Sequence, residues 1–442
     1  MKKMLCYLVV LLTTGLVSCT NNDYEQAIPA DCSLLMSINT AKVSGVGSPL
    51  VLKSMLHVSN LDKTGLDLSA NFYFFEDAPG NLGFCAKVAD ANQFTQTIKQ
   101  TGIEVVDKRG YHFAALKNNW VVGYSDQAAL MMGPVVPAEQ ESLMARMAGY
   151  LDAKEDEGIK GTPMYDKLDS INAPMALVCQ AQALPDQFIA PFTLGAPKDA
   201  DASQVLIAAE MEVKAGCLWM KGETFSWNKD INAALANARN IYRPIQGTYL
   251  ASMSQTDVMG LFVNVEGKHF IELMRQNKGI KAMLSGINSA IDMDNIIKSI
   301  DGDMAIITPT LGDENLQLMM AAHLGNSDWL ADVDYWKQSV PAGGHIGDWG
   351  RDCYYYTGDG TSYYFGVTQD WQYMSGGSKN AALASIKPAV QPLNAELRGK
   401  LKGQKMAMVI NLAALQGGKA EAVTGMLKPL FGHVNTMVYL LK

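Results

Sequence analysis

IPADCSLLMSINTAKV, residues 28–43, recurs as RPIQGTYLASMSQTDV, residues 243–258, with Pro29 over Pro244, Leu35 over Leu250, Ser37 over Ser252 and Val43 over Val258. Both stretches read as a turn feeding an apolar strand. Self-similarity at so wide a spacing points to a duplicated unit, and it sets the frame for the rest of the chain. NLGFCAKVADANQFTQTI from Asn81 matches NLQLMMAAHLGNSDWLADV from Asn315: a strand, a polar turn, then a short helix opened by an Asn- or Asp-type cap. GYHFAALKNNWVVGYSDQAALMMG from Gly110 matches CYYYTGDGTSYYFGVTQDWQYMSGG from Cys353, each a β-hairpin around a polar turn, Lys117 to Asn119 or Gly358 to Gly360. APMALVCQAQAL from Ala173 matches QKMAMVINLAAL from Gln404.

The four matches keep their order, while their offsets of 215, 234, 243 and 231 residues drift as loop insertions would make them. Strands with intervening helices on Gly and Asn turns give an α+β fold: two tandem copies of a mostly antiparallel sheet with helices, duplicated within one chain. The first copy continues through SQVLIAAEMEV and GCLWMKGETFSW, a hairpin across Lys214 to Gly216. The second stops at TMVYLLK, so its sheet edge is either open or covered by another segment. Helical stretches are expected over Glu139 to Leu151 and Ala381 to Leu401. An acidic run, Asp152 to Glu157, lacks the alternation that wraps Ca²⁺ and reads as a solvated helix end.

Ahead of the repeats, Lys2 and Lys3 precede an apolar core from Met4 to Leu16 and a small-residue approach at Val17 and Ser18, the three parts of a secretory signal. That core is too short to span a bilayer. Leu16-Val17-Ser18-Cys19 resembles the lipobox of bacterial lipoproteins, which implies acylation of Cys19 through sulfur, cleavage before it, and acylation of the new amino terminus. Several acyl chains at about 0.8 kcal/mol per buried CH₂ hold a protein to a membrane durably. The organisation expected is therefore a lipoprotein signal peptide over 1–18, a polar tether over 19–27, a first repeat over 28–240 and a second over 241–442, shortened at its C-terminus. The absence of Asp after Cys19 implies, by the same resemblance, the outer membrane, facing the periplasm or the cell surface.

IPADCSLLMSINTAKV, GFCAKVADANQFTQTI and SIDGDMAIITPT from Ser299 together resemble an uncharacterised family of Bacteroidetes outer-membrane lipoproteins of the domain-of-unknown-function type, DUF4836-like. The resemblance covers most of the mature chain. It implies anchoring and a duplicated α+β body, and it brings no activity or site residue.

Removal of 1–18 leaves 424 of 442 residues and 34 basic against 44 acidic side chains, a net charge of −10, since Lys2 and Lys3 leave with the signal. An acidic chain with no basic run excludes nucleic acid as a partner. Charged residues are 18% of the chain, so much of the surface is neutral and suits neutral partners. Of the mature cysteines other than Cys19, namely Cys32, Cys85, Cys179, Cys217 and Cys353, four lie in apolar strand-like runs and read as buried thiols, with one disulfide as the alternative.

Motifs of catalysis do not assemble. The six histidines show no H-x-x-x-H spacing for zinc. GLFVNVEGKH and GDGTSYYFG fail as phosphate loops. Ser226-Trp-Asn-Lys229, Ser125-Asp126 and Lys63-Thr64-Gly65 spell the penicillin-recognising set in reversed order. No catalytic residue, metal ligand or cofactor is assigned. What stands out is aromatic crowding: Trp329, Trp336, Trp349, Tyr354, Tyr355, Tyr356, Tyr363, Tyr364, Trp371 and Tyr373 fall within 45 residues, interleaved with Asp348, Asp352, Asp359 and Asp370. Consecutive aromatics on a strand must point to both faces, so some lie outside whichever core the hairpin covers. The expected contacts are Trp349, Tyr355, Tyr363, Trp371 and Tyr373, on a non-enzymatic, lipid-anchored envelope protein that binds a glycan or an envelope protein. The alternative is an envelope or surface hydrolase acting on polysaccharide.

Overall fold

Short apolar runs closed by Gly and Asn turns form antiparallel ladders throughout the computed structural model, which describes residues 23–39, 64–116, 119–154, 157–277, 290–310, 318–358, 360–414 and 434–442. The signal over 1–18 and Cys19 lie outside the described residues. The fold is mixed α/β with a large open sheet. Two compact units divide the chain: Met1–Cys32 with Asp62–Tyr165, and Ser33–Leu61 with Asp166–Lys442.

Strand β1 (Leu34–Ile38) belongs to the second unit. The first unit holds β2 (Phe72–Glu76), β3 (Leu82–Lys87), β4 (Val106–Lys108), β5 (Tyr111–Leu116), β6 (Trp120–Tyr124) and β7 (Ala128–Gly133). They pair antiparallel in the order β4-β5-β6-β7-β3-β2. Gly83 on β3 is required by packing: a Cβ there would meet the Phe75 ring at 2.2 Å. Asp90 accepts the Gln93 amide and starts the helix Ala91–Gln100, as its acidic cap predicts. That helix buries Phe94, whose ring meets Tyr124 edge-on at 4.9 Å. The helix Gln140–Leu151 falls where the spacing places it and buries Leu143, Met144 and Met147.

The expected tether over 19–27 needs correction at its far end. Asp23–Ala27 is a 3-10 turn, and Tyr24, Glu25, Gln26, Ala27 and Ile28 are each at most 4% exposed. Tyr24 and Ile28 supply apolar surface, and Glu25 finds hydrogen-bonding and cationic partners that offset its desolvation.

The second unit carries one sheet ordered β1, β8 (Met175–Gln180), β9 (Leu206–Lys214), β10 (Cys217–Phe225), β19 (Thr436–Leu441), β18 (Met406–Asn411), β11 (Met259–Glu266), β12 (Ile300–Thr308), β13 (Met319–Leu324), β17 (Gln372–Gly376), β16 (Thr361–Val367), β15 (Cys353–Gly358) and β14 (His345–Gly350). Every neighbouring pair is antiparallel except β10 with β19. The β9–β10 hairpin turns at Ala215 and Gly216, both at positive φ, where the sequence places it. The edge that the chain's last strand would leave is covered: β10 lies parallel to β19, from Cys217 opposite Thr436 to Gly222 opposite Leu441. This pairing puts β10 in the same unit as the second half of the chain, so the unit boundary does not follow residue 240.

The order β4-β5-β6-β7-β3-β2 of the first unit recurs as β14-β15-β16-β17-β13-β12 in the second, and β1-β8-β9 recurs as β11-β18-β19. Two expectations fail locally. Within 243–258 no strand forms; Thr248–Ser252 turn, with Tyr249 and Leu250 each 3% exposed. The amides of Gln246, Gly247 and Thr248 donate to the buried Asp303 carboxylate instead of a ladder, and β11 follows later. The stretch from Ala381 to Leu401 is two helices, Lys379–Ser385 and Ala395–Leu401, because Pro388 and Pro392 interrupt it.

Candidate functional site

The β15–β16 hairpin closes with Gly358 opposite Thr361, which places Tyr354 opposite Phe365, Tyr355 opposite Tyr364, and Tyr356 opposite Tyr363. Alternation then sends Tyr354, Tyr356, Tyr363 and Phe365 to one face and Tyr355 and Tyr364 to the other.

The first face turns toward the core, with Tyr354, Tyr356 and Tyr363 half-buried around Phe365. Phe365 is fully buried, with the Trp329 ring at 6.1 Å and the Trp336 ring at 6.4 Å. Trp329 and Trp336 lie parallel to each other, 2% and 5% exposed. Tyr373, also 0% exposed, meets Trp329 edge-on and shares a 2.8 Å hydroxyl hydrogen bond with Tyr363. Burial pushes both phenols up, so both stay protonated.

The opposite face carries a run of partly buried rings beside the exposed His345. Tyr355 stacks on Tyr364 with centroids 5.5 Å apart and planes 24° apart. His345 meets the edge of Tyr355 at 5.8 Å, and Trp349 meets Tyr364 at 6.3 Å. The Trp349 indole is fixed by its N–H donating to the Tyr354 carbonyl at 2.7 Å, and the Lys379 ammonium lies 5.2 Å from its ring centre. Gly347 lies opposite Tyr355, and a Cβ there would stand 2.6 Å from the tyrosine ring, so glycine lets the ring lie across β14. The register shifts between Asp348 and Gly350, a bulge that sits at Trp349.

Of the expected contacts, Trp349 and Tyr355 are brought together on this face through Tyr364. Tyr373 is a core residue, which removes it from the expected surface, and the half-buried Tyr363 is bonded to it on the inner face. Trp371 is 43% exposed on the turn between β16 and β17, at positive φ. His345, Tyr364 and Lys379 complete the platform. Hairpin register was the available signal for Tyr364: a two-residue turn that pairs 358 with 361 also pairs 355 with 364. The interleaved acids are mostly engaged. Asp348 pairs with Lys337 at 2.8 Å and Asp352 with Arg351 at 3.5 Å. The Thr368 hydroxyl and the Gln372 amide hold the Asp370 carboxyl below the usual range. Asp359 lies outside the described residues.

Elsewhere, the buried acids have structural partners. Asp77 accepts the Asn81 amide at 2.7 Å while burial pushes its carboxyl up, and Asp257 accepts the Ser254 amide at 2.7 Å. Among the described residues no group of three or more His, Cys, Asp or Glu could hold a metal. Cys32, Cys85, Cys179, Cys217 and Cys353 are buried and not joined in disulfides, as four apolar strand contexts imply. Burial pushes the Cys32 thiol up to about 12. A cleft of about 340 Å³ beside the helix Asp186–Thr193 is lined by Ile189, Ala190, Ala196 and Val205, and its Thr193 hydroxyl accepts the Asn277 amide at 2.8 Å. No helix of the described residues is long and apolar enough to cross a membrane.

Largely antiparallel open sheets, one face of which carries a run of partly buried aromatic rings, define a mixed α/β protein. The sequence profile of DUF4836, a domain of unknown function, matches residues 52–415, and the chain belongs to that family. No curated protein matches the chain. Among solved structures, crystal form IV of TP0453 aligns at TM-score 0.28 and 10% identity, covering 44% of this chain and 76% of that one. Crystal form I of TP0453 aligns at TM-score 0.25 and 9% identity, covering 82% and 96%.

Proposed function

We propose that the protein is a non-enzymatic lipoprotein of the bacterial outer membrane, anchored through acylated Cys19, that binds a glycan on its aromatic platform. The stacked, partly buried pair Tyr355 and Tyr364 carries the binding part of this reading. Ring faces flanked by hydrogen-bonding groups suit the apolar faces and hydroxyls of sugar rings, and aromatics outside a core mark contact sites. His345 and Trp349 extend the surface to either side, and the low charge of the chain suits a neutral polymer. The lipobox Leu16 to Cys19 carries the anchoring part. We also read the body as a tandem duplication, which the recurring strand order supports.

Titration of the purified body against a broad panel of neutral and acidic polysaccharides tests the binding part. The expected result is saturable binding that is lost in Tyr355→Ala and Trp349→Ala. A flat panel alongside a Tyr355-dependent protein partner in pull-downs would make the ligand a protein, and the glycan assignment would be wrong.

A further inference from the structure

Glu25 is a buried carboxylate that the platform does not use. It is 3% exposed; it accepts the Tyr73 hydroxyl at 2.6 Å and the Tyr165 hydroxyl at 2.9 Å, and it pairs with Lys160 at 3.2 Å. Next to it, the Tyr24 hydroxyl donates to the Asn71 carbonyl at 2.9 Å, and the Tyr24 carbonyl accepts the Cys85 thiol at 3.4 Å. Burial, with Glu25 beside them, pushes the Tyr24 and Tyr73 hydroxyls far up, so they remain donors. On the far side, Pro29 bridges Gly158 in antiparallel fashion, and a Cβ on Gly158 would stand 2.2 Å from the Gln26 carbonyl oxygen. The partners of this six-residue stretch thus come from residues 71–85 and 158–165 of the same unit.

Burying a carboxylate is costly unless its charge is paired and its lone pairs are filled. A segment that served only as a flexible spacer would gain nothing from such burial. We infer that the stretch from Tyr24 to Pro29 is a clamp, with Glu25 as its positioning residue, that holds the body at short range from the lipid surface in which Cys19 is anchored. The inference rests on acylation of Cys19 as proposed above. With the chain gripped from Tyr24, the span from Cys19 to Tyr24 reaches at most about 18 Å when fully extended. That is about two Debye lengths of about 8 Å at physiological salt. The body is therefore held where headgroup charge still acts on it, and it cannot drift as it would on a long polar linker.

The test uses the native acylated protein in phosphatidylcholine nanodiscs, with a donor dye on Ala30→Cys and acceptor-labelled lipid. Ala30 is exposed, and the native thiols are buried. Energy transfer should be strong. It should fall when about twelve Gly-Ser residues are inserted between Asn22 and Asp23, and fall in Tyr73→Phe/Tyr165→Phe, which keeps the rings and removes both donors to Glu25. In parallel, the non-acylated Cys19→Ser body in solution should protect the amides of 24–28 from exchange, and the double variant should speed that exchange about tenfold or more. A purely structural role would change thermal unfolding and leave the transfer alone. Unprotected amides in the Cys19→Ser body would overturn the clamp and leave the anchor reading standing. Protected amides with transfer insensitive to the insertion would overturn the positioning role. A bare Cys19 thiol in the native protein would sink the anchor and, with it, the inference.

Discussion

Tyr355 faces Tyr364 directly across the β15–β16 ladder, and the two rings stack at 5.5 Å on the side of the sheet opposite Phe365. One hairpin therefore supplies part of the core with one set of rings and part of the surface with the next, and substitutions should separate the two roles.

Phe365→Ala removes a fully buried ring that touches Trp329, Trp336, Tyr354 and Tyr363. It should cost about 3 to 5 kcal/mol of stability. Tyr355→Ala removes a partly buried ring and should cost only about 1 kcal/mol, while abolishing ligand binding. Urea denaturation of both variants beside a binding titration checks the split.

Asp303 accepts the amides of Gln246, Gly247 and Thr248 and the side-chain amide of Asn264. Asp303→Ala orphans these donors in a 4% exposed site. The expected loss is about 3 kcal/mol or more, and chemical denaturation should show the midpoint falling by the corresponding amount.

β19 sits between β10 and β18. Truncation after Asn435 removes both ladders along with Val438 and Tyr439, at most 1% exposed, and bares what they cover, including the Phe192 ring packed on Tyr439. The truncated body should be insoluble or bind a hydrophobic dye, whereas loss of Lys442 alone should be silent.

The five thiols are buried, and burial raises the thiol pKa of Cys32, Cys85, Cys217 and Cys353, for Cys32 to about 12. At pH 8 the folded protein should resist thiol reagents and release five equivalents in denaturant. The sign for stability follows: a thiol raised in the folded state contributes fully below the unfolded value of about 8.5, and the contribution is lost progressively as pH rises from there toward 12. Denaturation midpoints should therefore fall between pH 7 and pH 10.

Much of the ladder pattern was legible because it rests on local chemistry. The Asp90 cap, the turn at Ala215 and Gly216, and the hairpin around residues 358–361 each follow from residue type at a fixed offset. What was not legible depends on distant partners. Tyr249 to Met253 looks like a strand because a buried turn and a buried strand share an apolar run, and only Asp303, some fifty residues on, decides between them. Asp23 to Ala27 looks like a tether because Tyr73, Tyr165 and Lys160 cannot be seen from it. At the platform, alternation placed aromatics on both faces, yet Tyr363 and Tyr373 belong to the inner one, because Trp329 and Met293 cover that side.

Mass spectrometry of the N-terminal peptide, from protein extracted out of native membranes, tests the anchored-lipoprotein account most directly. The account predicts a peptide beginning at Cys19, acylated on sulfur and on its amino group. A peptide beginning elsewhere, or one with a free thiol at Cys19, would contradict it.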